Sequence, residues 1–497
     1  MEKLSMQDAT FLYSETDKVL NQIASLQQLA LPDNTTPQTF IASLKHYLMD
    51  RIHLLPYLTR KVKMIPGGID HAVWARDGDF NINNHVVEIP LDAPGTFEQL
   101  QAKVAELHSI PMNREKPLWC MHVITGQEDG TVAYYAQVHH ACVDGMAGQA
   151  MTLTLTDETP EPQAKHCPAG FIQNEDPELK DLLADSFKNL FDFQTRSLER
   201  AVGMMKTAAS LSQRAVDPSK SFGALGQVTP KTPFNQSIGR ERNFACTKMP
   251  LSDVKKIGKT MGASVNDVFL SICAGALRRY LIRTDQLPRH NLIAGCPVAI
   301  PKQGRFDLGN SVSMMNVDLF TNIADPRVRL LKVKSSTITA KEVTAELADS
   351  IDNNASLFGL PAMTRAASMI NEYADLSEAI PMPFNVLISN VPGPKKTLYA
   401  NGAKMLSHYP VSIPVHGLGL NITVQSYCDD LFVGLTACKK AVPDLALLRD
   451  DLAAAFIELK SLTLPDNISK IVVRQPVQVV AAAAENAEIA KNLHKVA

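Results

Sequence analysis

The sequence predicts an α/β protein built as two lobes, on three observations. Its 497 residues are more than one ordinary core holds. Strand-like and helix-like stretches mix without a βαβ rhythm, which favours α/β sandwich lobes over a Rossmann sheet. A Gly/Pro/Ser/Thr-rich run, AVDPSKSFGALGQVTPKTPFNQSI (215–238), reads as part of a linker between two folded halves. The expected division is a first lobe over 1–175, a helical linker over 176–238, a second lobe over 239–470 and an Ala-rich tail over 471–497.

In the first lobe, FEQLQAKVAELH (97–108) has helical spacing, and LWCMHVI (118–124) reads as a strand. The turn GQEDG returns the chain into TVAYYAQV (131–138), β-branched and aromatic, a strand running straight into His139 and His140. A helix is expected from near Asp144. Residues 156–175, rich in Pro and acids, read as a loop. Leu179, Leu182, Leu183, Phe187, Leu190, Phe191, Leu198, Val202 and Met205 then recur at helical spacing over 178–207, with charges between them. That stretch is either a linker helix packed on the lobes or a helix lying on a membrane surface.

The second lobe opens with a strand-like ERNFACTKM, followed by a helix from 251. Ser264 and Asp267 fit the S-x-x-D capping pattern, so a further helix is expected from Val265. Strands are expected at 291–300, 312–320, 384–389, 418–427 and 431–437, and helices at 340–352, 361–372 and 443–460.

Composition narrows the function. Apolar residues at 45% and charged residues at 20% are the balance of a globular enzyme rather than a disordered chain. A net charge of −2 gives no support for a nucleic-acid partner. The eight cysteines form no C-x-x-C pair, which speaks against a zinc ribbon or a disulfide framework and suits reduced thiols in a cytosol. The first twenty residues lack an apolar signal core, and no apolar run reaches the ~18 residues of a spanning helix. Contact with a membrane is therefore expected from the side only. No G-x-G-x-x-G, P-loop or H-E-x-x-H occurs.

The chemistry concentrates in HHACVDG (139–145), where a strand hands over to a helix. A histidine there is held by the sheet yet open on one side; neutral near pH 7, it can take a proton from an alcohol. Three readings compete with a purely structural histidine. His139, His140 and Asp144 could ligate a metal, but neighbours on a strand face opposite ways. Cys142 could act as a nucleophile with His140 as its base, although buried cysteines are more often packing. Or one histidine deprotonates an acceptor hydroxyl directly. Asp144 orients the imidazole, caps the helix or binds an arginine, and Gly145 lets the chain turn.

The stretch PLWCMHVITG…VAYYAQVHHACVDGMAG resembles the bacterial wax ester synthase/diacylglycerol acyltransferase family, with its H-H-x-x-x-D-G motif and preceding P-L-W element (Pro117, Leu118, Trp119). Further matches follow in the family's order: SVNDVFLSICAGALRRYL with its N-D pair (Asn266, Asp267), LGNSVSMMNVDL, NVLISNVPGP containing Asn390, and AVPDLALLRDDL. The resemblance runs from about residue 4 to 460. H-H-x-x-x-D-G alone is shared with condensation domains; the combination is far more specific.

The resemblance implies two lobes, each like chloramphenicol acetyltransferase in the coenzyme A-dependent acyltransferase fold, with a channel between them. Acyl-CoA enters from one face and a fatty alcohol or diacylglycerol from the other, with no cofactor and no metal. His140, the second histidine, is the implied base, and Asp144 a scaffold residue paired with an arginine. The family often has an arginine where this chain has Pro301, so Lys302 or Arg305 stands in as the candidate partner. Asn266 is expected either to hydrogen-bond the developing oxyanion, to position the motif loop, or simply to be polar in the first turn of its helix. Pro117, Leu118, Trp119 and Asn390 are expected to shape walls and turns. The implied protein is cytoplasmic, resting peripherally on a membrane or lipid inclusion. The competing classes are a condensation-type enzyme using a carrier-protein thioester and a non-catalytic lipid-surface protein.

Overall fold

Each lobe is organised around one sheet, and the motif lies where the two sheets face each other. The computed structural model describes residues 2–143, 145–172, 177–188, 212, 214, 216, 217, 220–299, 312–348, 360–379 and 382–464. A small sheet near the N-terminus joins β1 (Glu2–Lys3), β3 (Arg60–Lys63) and β4 (Val73–Arg76) in the order β1-β4-β3. The first lobe's main sheet takes β2 (Gln22–Ala30), β5 (Val86–Pro90), β6 (Trp119–Thr125) and β7 (Val132–His139) from the N-terminal half. It is completed by β12 (Tyr399–Ala400), β13 (Ala403–Met405) and β14 (Tyr409–Val411). The second sheet has the order β10-β9-β11-β15-β16-β8. Its strands are β8 (Arg242–Pro250), β9 (Ile293–Ala299), β10 (Val312–Asp318), β11 (Val386–Val391), β15 (Leu420–Tyr427) and β16 (Asp430–Cys438).

Strands β12 to β14 correct the expected boundary. The sequence places 239–470 whole in the second lobe, yet strands within 403–411 pair antiparallel with β2 of the first. The physical reason is an edge: β2 pairs with β7 on one side, and its other row of backbone groups needs a partner. The crossover stitches the lobes together.

Helices α1 (Met6–Tyr13), α2 (Pro37–Met49), α3 (Phe97–His108) and α4 (Gly145–Thr154) belong to the first lobe. Helices α5 (Leu251–Met261), α6 (Val265–Arg283), α7 (Pro326–Ala348), α8 (Leu360–Ala374) and α9 (Leu445–Thr463) follow. The expected cap at Ser264 is present. Its hydroxyl accepts the Asp267 N–H at 3.2 Å while Asp267 accepts the Ser264 N–H at 2.9 Å. The second Asp267 oxygen accepts the Thr337 hydroxyl at 2.6 Å, which ties α6 to α7. Leu420, Ile422 and Val424 of β15 share one core with Phe269 and Cys273 of α6 and Leu448 and Leu452 of α9, so helices cover one face of this sheet. The 178–207 helix lies mostly outside the described residues. Over 179–188 the chain is helical, with Leu182 and Ser186 buried and Leu179 and Phe187 exposed. The 471–497 tail lies outside them too.

Two buried histidines sit at the junction of the lobes. His108 contacts the Tyr135 hydroxyl at 2.6 Å and the Ser412 carbonyl at 2.9 Å, and His408 lies between Gln27 of β2 and Gln425 of β15. Burial pushes both imidazoles down to about 4 from the ordinary 6.5. Between those values the unfolded chain binds protons that the folded one refuses. Stability therefore falls as pH falls through this window, by up to ~1.4 kcal/mol per pH unit for each histidine. Denaturation midpoints taken at pH 7.5, 5.5 and 4.5 should drop in step, and His408→Asn should flatten the slope by one proton. A midpoint that is unchanged down to pH 4.5 would contradict this.

Candidate active site

A cavity of about 430 Å³ separates the two sheets. Asn21 just before β2, Ile23 and Ser25 of β2, Ala136 and Val138 of β7, Phe11 of α1 and Gly148, Met151 and Thr152 of α4 form its first-lobe wall. Ser313, Leu387, Ser389, Asn421, Thr423 and Gln425 form the facing wall, and His408 to Ile413 of the crossover include further contacts. His140 is on this surface.

The sheet delivers His140 there. β7 pairs Gln22 with His139 on one side and Val138 with Trp119 on the other. The ladder then runs on past the strand end: the His139 N–H donates to the Leu118 carbonyl at 2.9 Å and the His140 N–H to the Asn21 carbonyl at 2.8 Å. The His140 ring is half-buried and stacked on Phe11, with centroids 4.0 Å apart and planes 10° apart. Asn21 fixes that partner as well, because its amide donates to the Phe11 carbonyl at 2.6 Å and the Ser14 hydroxyl at 3.0 Å.

His139 points elsewhere and is fully buried. Its Nδ1 accepts the Ala141 N–H at 3.0 Å, so its Nε2 carries the proton and donates to Glu15, also at 3.0 Å. Arg114 pairs with the same carboxylate and donates to the Leu12 carbonyl at 3.0 Å. Burial pushes the Glu15 carboxyl up, but the hydrogen bonds from His139 and Arg114 and the Arg114 charge outweigh it and hold the group below its ordinary value. The two histidines thus have different tasks: one anchors the turn and the other faces the cavity.

Cys142 is buried, and that burial raises its thiol well above the ordinary range. It is placed as packing rather than as a thiolate. Asp144 lies outside the described residues, as do Pro301, Lys302 and Arg305; Gly145 is the first residue of α4. Trp119 is buried, donates from Nε1 to the Leu58 carbonyl at 2.8 Å and stacks on His85 at 4.6 Å. With the Leu118 carbonyl holding the His139 N–H, the Pro117–Trp119 element supports the end of β7 from outside the cavity lining. Asn266 accepts the Asn390 amide at 3.2 Å. Cavity-lining Leu387, Ser389 and Val391 alternate with Asn390 along β11, so the Asn266–Asn390 pair sits on the far face of that strand. This placement does not support a direct contact from Asn266 to an oxyanion; the pair holds the start of α6 against β11.

Phe11, Glu15, Asn21 and Arg114 escaped sequence reasoning. The only local signal nearby is the Ser5–Asp8 cap of α1, which says where a helix starts and nothing about its partners.

Residues 4–269 match the wax ester synthase/diacylglycerol acyltransferase catalytic domain, and residues 308–460 match the C-terminal domain of the same family. The chain belongs to this family. It is therefore an acyltransferase. A candidate diacylglycerol O-acyltransferase of Mycobacterium tuberculosis is 31% identical over 467 residues, which is 92% of this chain and 90% of the relative. One from Mycobacterium bovis is 31% identical, covering 94% of this chain and 100% of its own. The wax ester synthase/diacylglycerol acyltransferase of Marinobacter aquaeolei VT8 superimposes with a TM-score of 0.66 at 27% identity, over 93% of this chain and 99% of that one. The first condensation domain of the CDA synthetase shares the fold at 12% identity, with a TM-score of 0.54 over 92% and 96% of the two chains. The two-lobed coenzyme A-dependent acyltransferase fold expected from the sequence is the one observed.

Proposed function

We propose that the protein moves a long-chain acyl group from acyl-CoA directly to the hydroxyl of diacylglycerol, of a fatty alcohol, or of both, with His140 as general base. The observation that carries this reading is the position of the His140 ring, stacked on Phe11 and facing a cavity enclosed by both lobes. The acceptor oxygen attacks the thioester carbonyl as His140 takes its proton. The tetrahedral adduct then collapses, the C–S bond breaks, and the same proton passes to the departing CoA sulfur. Holding both substrates in one cleft supplies proximity, and its largely apolar first-lobe wall keeps water from competing as an acceptor. The raised thiol of buried Cys142 favours direct transfer over an acyl-enzyme. No cofactor or metal takes part in this scheme.

The proposed setting is the cytoplasmic face of a membrane or lipid inclusion, touched peripherally. Among the described residues no single helix is long and apolar enough to cross a membrane.

The purified protein, given palmitoyl-CoA with diacylglycerol or hexadecanol, should release free CoA and form the corresponding ester with at least one acceptor. Silence with acyl-CoA but turnover with a carrier-protein thioester would assign the condensation chemistry instead. Vesicle binding with no CoA release from any acceptor would leave a lipid-surface protein.

A further inference from the structure

The second-lobe wall of the cavity carries a feature that acyl transfer to a plain alcohol does not need. Along β15, LNITVQSY, apolar and polar residues alternate. Leu420, Ile422 and Val424 enter the helical core, while Asn421, Thr423 and Gln425 face the cavity. Such alternation ordinarily puts the polar row in water. Here all three residues are less than a tenth exposed. Buried polar groups are costly unless they are hydrogen-bonded, and an enzyme handling lipid tails would be expected to line this wall with Val or Leu.

The row is ordered. Thr423 donates its hydroxyl to the Asn421 Oδ1 at 2.8 Å, which leaves the Asn421 amide N–H groups as the donors toward the cavity. The Gln425 amide reaches His408 Nδ1 at 3.3 Å. Strand pairing sets its height in the cleft. Val411 pairs with Ala24, Ser412 donates to the Thr436 hydroxyl at 3.1 Å, and Thr436 pairs with Asn421. Asn421 is therefore level with the end of β2 that holds the motif, and Gln425 with the Gln27 end. The row runs from the level of His140 into the cleft over roughly 13 Å.

We infer that this row is the binding site for the ester carbonyls of a glyceride acceptor, and so rests on the reading of the site as an O-acyltransferase. A diacylglycerol carries two ester groups within a few bonds of its free hydroxyl, and each carbonyl accepts a hydrogen bond. A fatty alcohol offers only methylenes there and leaves the amide donors unmatched. The facing wall of Ile23, Ala136, Val138 and Met151 suits the acyl tail of the donor. The row thus favours glycerides over simple alcohols as acceptors.

The test compares kcat/KM for diacylglycerol and for hexadecanol, with palmitoyl-CoA as donor in both, in Asn421→Leu, Thr423→Val and Thr423→Ser. Asn421→Leu and Thr423→Val should each lower the diacylglycerol value about tenfold, with the hexadecanol value changing less than about twofold. Thr423→Ser, which keeps the hydroxyl, should restore it. Near-isosteric Thr423→Val guards against a folding failure of the Asn421 variant. An equal loss on both acceptors would assign the row to the donor or the fold and overturn the inference, as would no loss on either. If the wild type releases no CoA with either acceptor, it is the acyltransferase reading that has failed.

Discussion

His140→Ala lowers CoA release by roughly a hundredfold to ten-thousandfold, the range lost with a positioned general base. The fold should survive, because the imidazole lies at a cavity wall and the hydrogen bond from His140 to the Asn21 carbonyl comes from its backbone. The melting temperature should move by no more than a few degrees, reflecting the lost stacking on Phe11. Cys142→Ala is the matched control. Its thiol, raised well above the ordinary range by burial, makes no covalent intermediate in this scheme, so the variant should keep most of its turnover with a modest packing loss. Full activity in His140→Ala beside a dead Cys142→Ala would reverse the assignment.

Glu15→Ala should lower both stability and rate without touching a substrate. The carboxylate accepts from His139 and pairs with Arg114, and removing it leaves the fully buried His139 Nε2–H without that partner. The expected cost is about 2–3 kcal/mol in chemical denaturation. Because His139 precedes His140, the turn should shift and turnover should fall ten- to a hundredfold, mainly in kcat. Glu15 acts as a positioning residue, and a pH readout separates it from generic packing. Its folded pKa lies below the ordinary 4.5, so its contribution is fully present above that pH and is lost as pH falls through the lowered value. Wild-type stability should therefore fall more steeply below about pH 4.5 than that of Glu15→Gln, by up to one proton's worth of slope. Identical slopes in the two proteins would remove the proposed role.

What was legible in the sequence followed the range of the interaction. The β7 strand, the helix over 97–108 and the Ser264 cap are encoded within a few residues, and each is where its pattern places it. The pattern expected as a helix over 340–352 covers only the last part of the long helix α7, which begins at Pro326. Its start is set by Asp325, which accepts the N–H groups of Arg327 and Val328 just before Pro326, a cap hidden by the basic, β-branched run that follows. The crossover at 399–411 was not legible, since nothing in those short segments says that they complete a sheet begun at residue 22. The site divides in the same way. HHACVDG stands out in one line of sequence, whereas Glu15 meets His139 across 124 residues and Phe11 reaches His140 from α1. The polar face of β15 was visible as alternation, but alternation alone cannot distinguish water from the lining of an internal cleft.

The central claim is that the His140 ring and an acceptor hydroxyl meet inside the cleft between the lobes. The most direct measurement is a crystal structure of the protein with a non-reactive thioether analogue of palmitoyl-CoA and a diacylglycerol. Both chains should lie in the cavity, with the free hydroxyl about 3 Å from a His140 ring nitrogen and the thioether carbon beside that oxygen. A complex with the ligands bound elsewhere, or with His140 turned away from the hydroxyl, would contradict it.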